Sequence, residues 1–545
     1  MHAFIGVDVG TASARAGVFD RSGTLLATAR QQITIWHAAG DVVEQSSEDI
    51  WRACAQAIRA AMQQAGLPPS AVRGIGFDAT CSLVVLDRQG RPLSVSTSGD
   101  AARNIIVWMD HRATAEARRI NETADPVLRY VGGIISPEMQ TPKILWLKEN
   151  LPTTYREAGH FLDLADYLSF RATGSTARSL CTVTCKWTYL AHEGRWSESY
   201  FERIGLSELL ADGQRKVGRE IVAPGTTLAG GLTPQAAAEL GLLPGTPVGA
   251  ALIDAHAGAI GSIGGSAHGE QGELSDRLAY IMGTSACIMA STPEPRFVPG
   301  IWGPYFSAMI PGLWLIEGGQ SAAGAGIDYL VRSHPAWPEA MAAAETAGLS
   351  LLDFLEQRIV VGCERPAQAA WLARDLHVLP EFLGNRSPYA DPEARAMIAG
   401  LDLDQGLDSL QRLFVAGLCG LAYGLAEVIG AMRAEGIACG SMVISGGASR
   451  SSLVRQIMAD TTGLTVTLPA TPEPVLLGAA MLGAVAGQAY GSIPEAMTSM
   501  SAPGASASPT PAVAAFHAAK RRVYALMRQM DRDSRLAMAA IALNP

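Results

Sequence analysis

The chain has 545 residues, more than the roughly 250–300 at which one hydrophobic core stops growing, so at least two large domains are expected. It is 48% hydrophobic and 17% charged with a formal net charge of -9, and no long Lys/Arg run offsets that charge, which argues against nucleic acid or an anionic membrane surface as partner. The N-terminus lacks the basic, apolar and small-residue succession of a signal peptide, and the apolar stretch 242–263 is broken by Pro244, Pro247, Asp254 and His256, so a cytoplasmic protein is the default expectation.

In chain order, residues 4–9 read as an apolar strand that carries Asp8, bends at Gly10-Thr11 and returns as a second strand through Ser13 and Arg15 to Asp20. Such a hairpin suits a nucleotide polyphosphate: glycine allows close backbone approach, amides and hydroxyls donate to phosphate oxygens, and Asp8 can hold Mg²⁺ through water. An ordinary β-turn has the same composition. What favours the phosphate reading is a second turn far downstream, Gly283-Thr-Ser285, again between apolar strands. Two such turns suggest a duplicated fold in which each half presents one hairpin to a shared cleft.

A helix is expected over 47–65, with Ser46 or Ser47 as cap and Gly66 as stop. Strands 72–78 and 83–86 follow, joined through Asp78-Ala-Thr-Cys-Ser82, and then helices over 110–122, 142–150 and 163–173. With the early glycines between two strands rather than at a strand-to-helix turn, a mixed sheet is indicated instead of a doubly wound parallel one. Eight scattered cysteines read as reduced, buried thiols, and Cys181, Cys185 and His192 lack the second close ligand pair of a zinc site. Strand 248–253 feeds Asp254 and a small-residue helix over 255–262, after which Gly264-Gly265-Ser266 reads as a hinge or turn. The second unit has expected helices at 321–331, 341–358 and 407–433. Strand 442–444 runs into Gly446-Gly447, and strand 464–468 precedes a helix over 475–488. A Pro/Ser/Ala-rich loop at 499–511 then leads to a terminal helix over 512–530. The expected division is a first domain at 1–263, a second at 264–500, and a terminal loop and helix at 501–545.

Asp254, fixed at the end of an apolar strand, is a candidate general base, though an aspartate there also suits a helix cap. Arg15 could meet a phosphate or form a peripheral ion pair. No Gly-x-x-x-x-Gly-Lys-Ser/Thr loop is present, so a P-loop geometry is not expected.

Asp8-x-Gly-Thr-x-Ser-x-Arg15, Trp108-Met-Asp-His-Arg112, Pro142-Lys-x-x-Trp146, Asp254, Gly283-Thr-Ser285 and Gly446-Gly447, in this order, resemble the FGGY carbohydrate kinases over essentially the whole chain. Phe77-Asp-Ala-Thr-Cys-Ser-Leu-Val84 and Leu383-Gly-Asn-Arg-Ser-Pro388 are similar to the pentulose-kinase branch that contains D-ribulokinases. The resemblance implies an α/β fold of two ribonuclease H-like (actin-like ATPase) domains with mixed sheets around a central cleft. It implies Asp254 as catalytic base and Ala79, Thr80, Asp110, Lys186, Asp254 and Glu317 at the sugar. ATP would meet Gly10, Thr11, Ser13, Arg15, Gly283, Thr284, Ser285, Gly324, Asp328, Gly446, Gly447 and Ser451, with Mg²⁺ at Asp8. Asp328 and Ser451 replace amides used by some relatives. Read as residues alone, Asp110 equally suits a helix cap, Lys186 and Glu317 equally suit ion pairs, and Trp187 and Tyr189 beside Lys186 alternate as in a strand. The implied activity is ATP-dependent phosphorylation of a ketopentose, D-ribulose to D-ribulose 5-phosphate first, with L-ribulose, xylulose, polyols or glycerol as alternatives. Its partners would be a ketopentose and ATP, with a homodimer allowed. An actin-like ATPase scaffold without sugar kinase activity is the reading from a different class.

Overall fold

The computed structural model describes residues 2–38, 41–211, 213–265, 273–539 and 541. Ser266 of the expected hinge, and residues 540 and 542–545 of the terminal segment, lie outside the described residues.

Strand Ala3–Val9, buried along its whole length, is the centre of the first sheet. It pairs antiparallel with Ser13–Asp20, which pairs antiparallel with Leu25–Gln32. On its other side it runs parallel to Val72–Ala79, which runs parallel to Val248–Ile253. A seven-stranded second sheet is built in the same way: Arg277–Met282 pairs antiparallel with Ala286–Thr292, and that strand with Trp314–Gln320, while parallel Ser441–Ser445 and Thr465–Pro469 follow on the other side. The five-strand order is thus repeated, and each half begins with a hairpin closed by a Gly-Thr turn. Trp302–Phe306 and Pro503–Ala507 extend the second sheet at its two edges. The latter lies inside the expected 499–511 loop; its first residue is a proline, which an edge strand tolerates.

Helix Ser47–Ala65 is bounded as its sequence implies, with the Ser46 side chain accepting from the Asp49 amide and Gly66 left-handed at φ 63°. The expected 341–358 helix is instead two, Trp337–Ala347 and Leu351–Val361: Gly348 at φ 66° ends the first and Ser350 caps the second. Lys186 sits on helix Leu180–Trp187 rather than on a strand. Helix Leu407–Ala434 is long and apolar enough to cross a bilayer, and 89% of its most apolar window is buried inside the second half.

Helices Asp254–Ile263 and Pro474–Ala486 cross between the sheets at backbone contact. A Cβ on Gly261 would fall 1.9 Å from the Pro474 carbonyl oxygen, and one on Gly478 would fall 1.9 Å from that of Ala257. Pro474–Ala486 also lies on the first sheet, where a Cβ at Gly6 or Gly74 would meet the Leu476 or Gly483 carbonyl at 1.9 Å. A helix from late in the chain therefore completes the core of the first half.

Candidate active site

Strand register gathers the acidic chemistry at one end of the first sheet. Asp8 lies opposite Arg15 on one neighbour and opposite Asp78 on the other, and Ile253, opposite Ala79, hands the chain to Asp254. Between this end and the Gly283–Ser285 turn of the other half lies a cavity of about 290 Å³. Asp8, Gly10, Thr11, Arg15, Thr80, Lys186, Asp254, Gly283, Thr284, Ser285 and Glu317 line it. Arg15, Ile281 and Val475 also line a neighbouring cavity of about 530 Å³, bounded by Gly446, Gly447, Ser449, Arg450 and the turn 468–475.

Asp254 is half-buried, and as the first residue of its helix it follows Ile253, which occupies the cap position. Among the described residues its Oδ1 accepts from the adjacent Ala255 amide alone, at 2.7 Å, which is not the bond of an N-cap. Burial and the nearby Asp8 charge raise its pKa to about 6, which suits a base working near neutrality. Asp78 is fully buried with neither carboxylate oxygen hydrogen-bonded by geometry among the described residues, and burial and the adjacent Asp8 push its pKa well above the ordinary carboxylate range.

Arg15 donates from Nε to Asp8 at 2.7 Å and from Nη1 to Glu473 at 2.8 Å, so it is both an ion-pair partner and a wall of both cavities. Among the described residues no three His, Cys, Asp or Glu side chains converge to hold a metal ion directly. Asp8, on the cavity wall, suits instead an ion that keeps most of its water and arrives with a triphosphate, the usual habit of Mg²⁺.

The sugar-sized cavity offers both kinds of hydrogen-bonding partner. Lys186 is 5% exposed and has no hydrogen-bond partner among the described residues; its Nζ lies 4.8 Å from the centre of the Trp302 ring. Burial opposes its charge, but Cys81, Glu317 and Glu138 outweigh that and keep it cationic. Glu317 lies 3.3 Å from His256 Nε2, and His256 Nδ1 is 3.0 Å from Cys181 Sγ. Burial would raise Glu317, but the His256 hydrogen bond and charge lower it to about 2; burial would lower His256, but Cys181 and Glu317 raise it to about 10. Lys186 is thus a fixed donor and Glu317 a fixed acceptor, a pairing suited to a polyhydroxylated ligand. Thr80, on the same wall, shares a 3.2 Å hydrogen bond with Ser82.

Six expected ligand contacts line neither cavity. Asp110 is fully buried, and its carboxylate is taken by Arg112 at 2.8 Å and by the Val43 amide at 2.6 Å. The next helix starts only at Thr114, so Asp110 is not its cap either. Asp328 is exposed and paired with Arg332 at 2.8 Å. The Ser451 hydroxyl caps helix Ser452–Thr462 by accepting from the Val454 amide. Ser13 closes the first turn through its carbonyl, which accepts from the Gly10 amide at 3.1 Å, and the Gly324 amide donates to the Gly283 carbonyl at 3.0 Å. Ala79 is buried at the end of its strand.

Among the lining side chains to which the sequence reading gave no individual contact are Trp108, Glu138, Trp302 and Arg386. Trp108 Nε1 donates to Thr11 Oγ1 at 3.1 Å, while buried Lys143 donates to the carbonyls of Val107 and Trp108. The Trp108 and Pro142-Lys143 motifs were thus visible as patterns, and their joint support of the first turn was not.

Residues 3–261 match the N-terminal domain, and residues 278–487 the C-terminal domain, of the FGGY family of carbohydrate kinases. The chain belongs to that family. A Homo sapiens FGGY carbohydrate kinase domain-containing protein is 49% identical over 91% of each chain. A D-ribulokinase of Saccharomyces cerevisiae is 37% identical over 89% of this chain and 72% of its own length. A ligand-bound xylulose kinase from Lactobacillus acidophilus has the same fold, with a TM-score of 0.78 at 19% identity over 97% of this chain and 98% of the other. This FGGY protein is therefore an ATP-using carbohydrate kinase, and the scaffold ATPase reading is set aside.

Proposed function

We propose that this kinase phosphorylates a ketopentose, with D-ribulose preferred and O5 the acceptor. The observation that carries the reading is Asp254, with its raised pKa, in one cavity with both Gly-Thr turns and with the fixed donor Lys186 and fixed acceptor Glu317. The likeness to the yeast D-ribulokinase supports the choice of sugar.

Lys186 and Glu317 orient the sugar so that O5 points at the γ-phosphorus, and the Thr11 and Thr284 turns hold phosphate oxygens from opposite halves. Asp254 accepts the O5 proton as the new O–P bond forms and the bond to the ADP oxygen breaks. Mg²⁺, bound with ATP beside Asp8, supplies charge neutralisation at the β- and γ-phosphates. The larger cavity at Gly446-Gly447 takes the nucleoside against bare backbone.

A product-resolved panel with ATP and Mg²⁺ tests the assignment across D-ribulose, L-ribulose, D-xylulose, ribitol and glycerol. D-Ribulose is expected to give the 5-phosphate with the highest kcat/KM. Efficient turnover of another sugar with no D-ribulose 5-phosphate would make the substrate assignment wrong.

A further inference from the structure

Arg386, in the 383–388 motif, reaches the sugar cavity from the second half, and Glu138 reaches it from the first. The Arg386 guanidinium lies 5.5 Å from the centre of the Trp302 ring, the ring that Lys186 also covers. Its nearest anion is Glu138, with 3.8 Å between Arg386 Nη2 and Glu138 Oε1, beyond hydrogen-bond reach. Arg386 makes no hydrogen bond to any described residue, although its side chain is only 18% exposed. Arg112, by contrast, is saturated by Asp110, Glu44 and the Val95 carbonyl.

The fold holds this unsatisfied head in place. Gly319 gives it passage, since a Cβ there would fall 3.0 Å from Arg386 Cδ. On one side of it Asn385 donates to Glu381 at 2.8 Å and accepts from the Tyr389 amide at 3.0 Å; on the other Ser387 donates to the Gly300 carbonyl at 3.2 Å. A pinned loop that presents spare donors beside a carboxylate is organised for a ligand rather than for the ion pair alone.

We propose that Arg386 and Glu138 together read the hydroxyketone end of the sugar, remote from Asp254, and so set the preference for a 2-ketose over a polyol; this rests on the ketopentose reading above. Arginine only donates and an ionised carboxylate only accepts. The C2 carbonyl oxygen is an obligate acceptor and takes N–H groups from Arg386, while the adjacent C1 hydroxyl donates to Glu138. A polyol presents a tetrahedral C2 hydroxyl whose proton needs its own acceptor, and it leaves the planar guanidinium poorly matched.

The test measures kcat/KM for D-ribulose and for ribitol with the wild type, R386K and E138Q, together with ATP KM and the thermal midpoint. In R386K the ribulose-to-ribitol ratio should fall about tenfold or more, mainly through ribulose KM, with ATP KM and thermal midpoint unchanged. E138Q should weaken ribulose in the same direction, and it carries the test if R386K does not fold. Unchanged ratios and ribulose KM in the folded variants, with an active wild type, overturn the reader and leave the kinase assignment standing. A wild type inactive on every ketopentose overturns both.

Discussion

The two cavities that share Arg15 are built by different means. The sugar side is walled by charged side chains whose states are set by burial and by one another: Asp254 raised to about 6, Glu317 lowered to about 2, and Lys186 kept cationic. The larger cavity, proposed above for the nucleoside, is bounded by Gly446, Gly447 and residues 468–475 with their three prolines, and Arg15, Arg450 and Glu473 are its charged lining, so backbone and small side chains form much of its wall. A chemical step needs a group of defined charge at a defined place; holding a nucleotide against bare backbone needs mainly room. Replacements on the two sides should therefore fail in different kinetic constants.

The largest effect is expected at Asp254. D254N should lower kcat by about 10²–10⁴-fold with ATP KM nearly unchanged, because the amide cannot take the sugar proton. Only the ionised carboxylate is a base, so wild-type kcat/KM should fall about tenfold per pH unit below about 6, and this limb should vanish in D254N. Near-normal turnover in folded D254N would remove the residue from catalysis and leave the sugar-side cavity a binding site only.

Gly447 sharpens the other side. An added Cβ there meets no atom within 4 Å, so the backbone tolerates a side chain and G447V should narrow the cavity. ATP KM should rise about tenfold, equivalent to roughly 1.4 kcal/mol, with sugar KM and thermal midpoint held. Gly446 differs: its φ is 97° and a Cβ added to it would fall 2.2 Å from the Met282 carbonyl oxygen, so G446A should lower the thermal midpoint as well. Equal effects of G447V on both substrates would show that the two cavities are not separately read.

What the sequence showed follows the same division. Gly-Thr turns between apolar strands were recognisable because phosphate binding constrains backbone and side chain together, and the repeated strand order agrees with the duplication they suggested. Asp254 stood out in the sequence because an apolar strand runs into it, and the structure sets it on the cavity wall. Asp110 reads two ways because an aspartate can serve a ligand or saturate a buried arginine, and the approach of Val43 and Arg112 that occupies its carboxylate is not a local pattern. Arg386 and Glu138 lie far apart in sequence and on different halves, so no local pattern could pair them. Likewise, nothing in the period of residues 474–486 told that this late helix lies on the first sheet.

The smallest expected effect concerns the halves themselves. Each half supplies one Gly-Thr turn to the cavity, and both His256–Glu317 and Glu138–Arg386 join a side chain of the first half to one of the second. We propose that ATP and sugar together draw the halves closer about the crossed helices Asp254–Ile263 and Pro474–Ala486, which excludes water from the γ-phosphate and brings Asp254 onto O5. The close glycine contacts between these helices allow only small sliding, so the change should be modest. Solution scattering with D-ribulose and a non-hydrolysable ATP analogue should show a contraction of a few per cent, roughly 1 Å on a radius of gyration of about 24 Å. Either ligand alone should give less, since neither fills both cavities. An unchanged radius, with the same angle between halves in liganded and unliganded crystals, would mean that the two cavities act as one rigid site and that water is excluded by the substrates themselves.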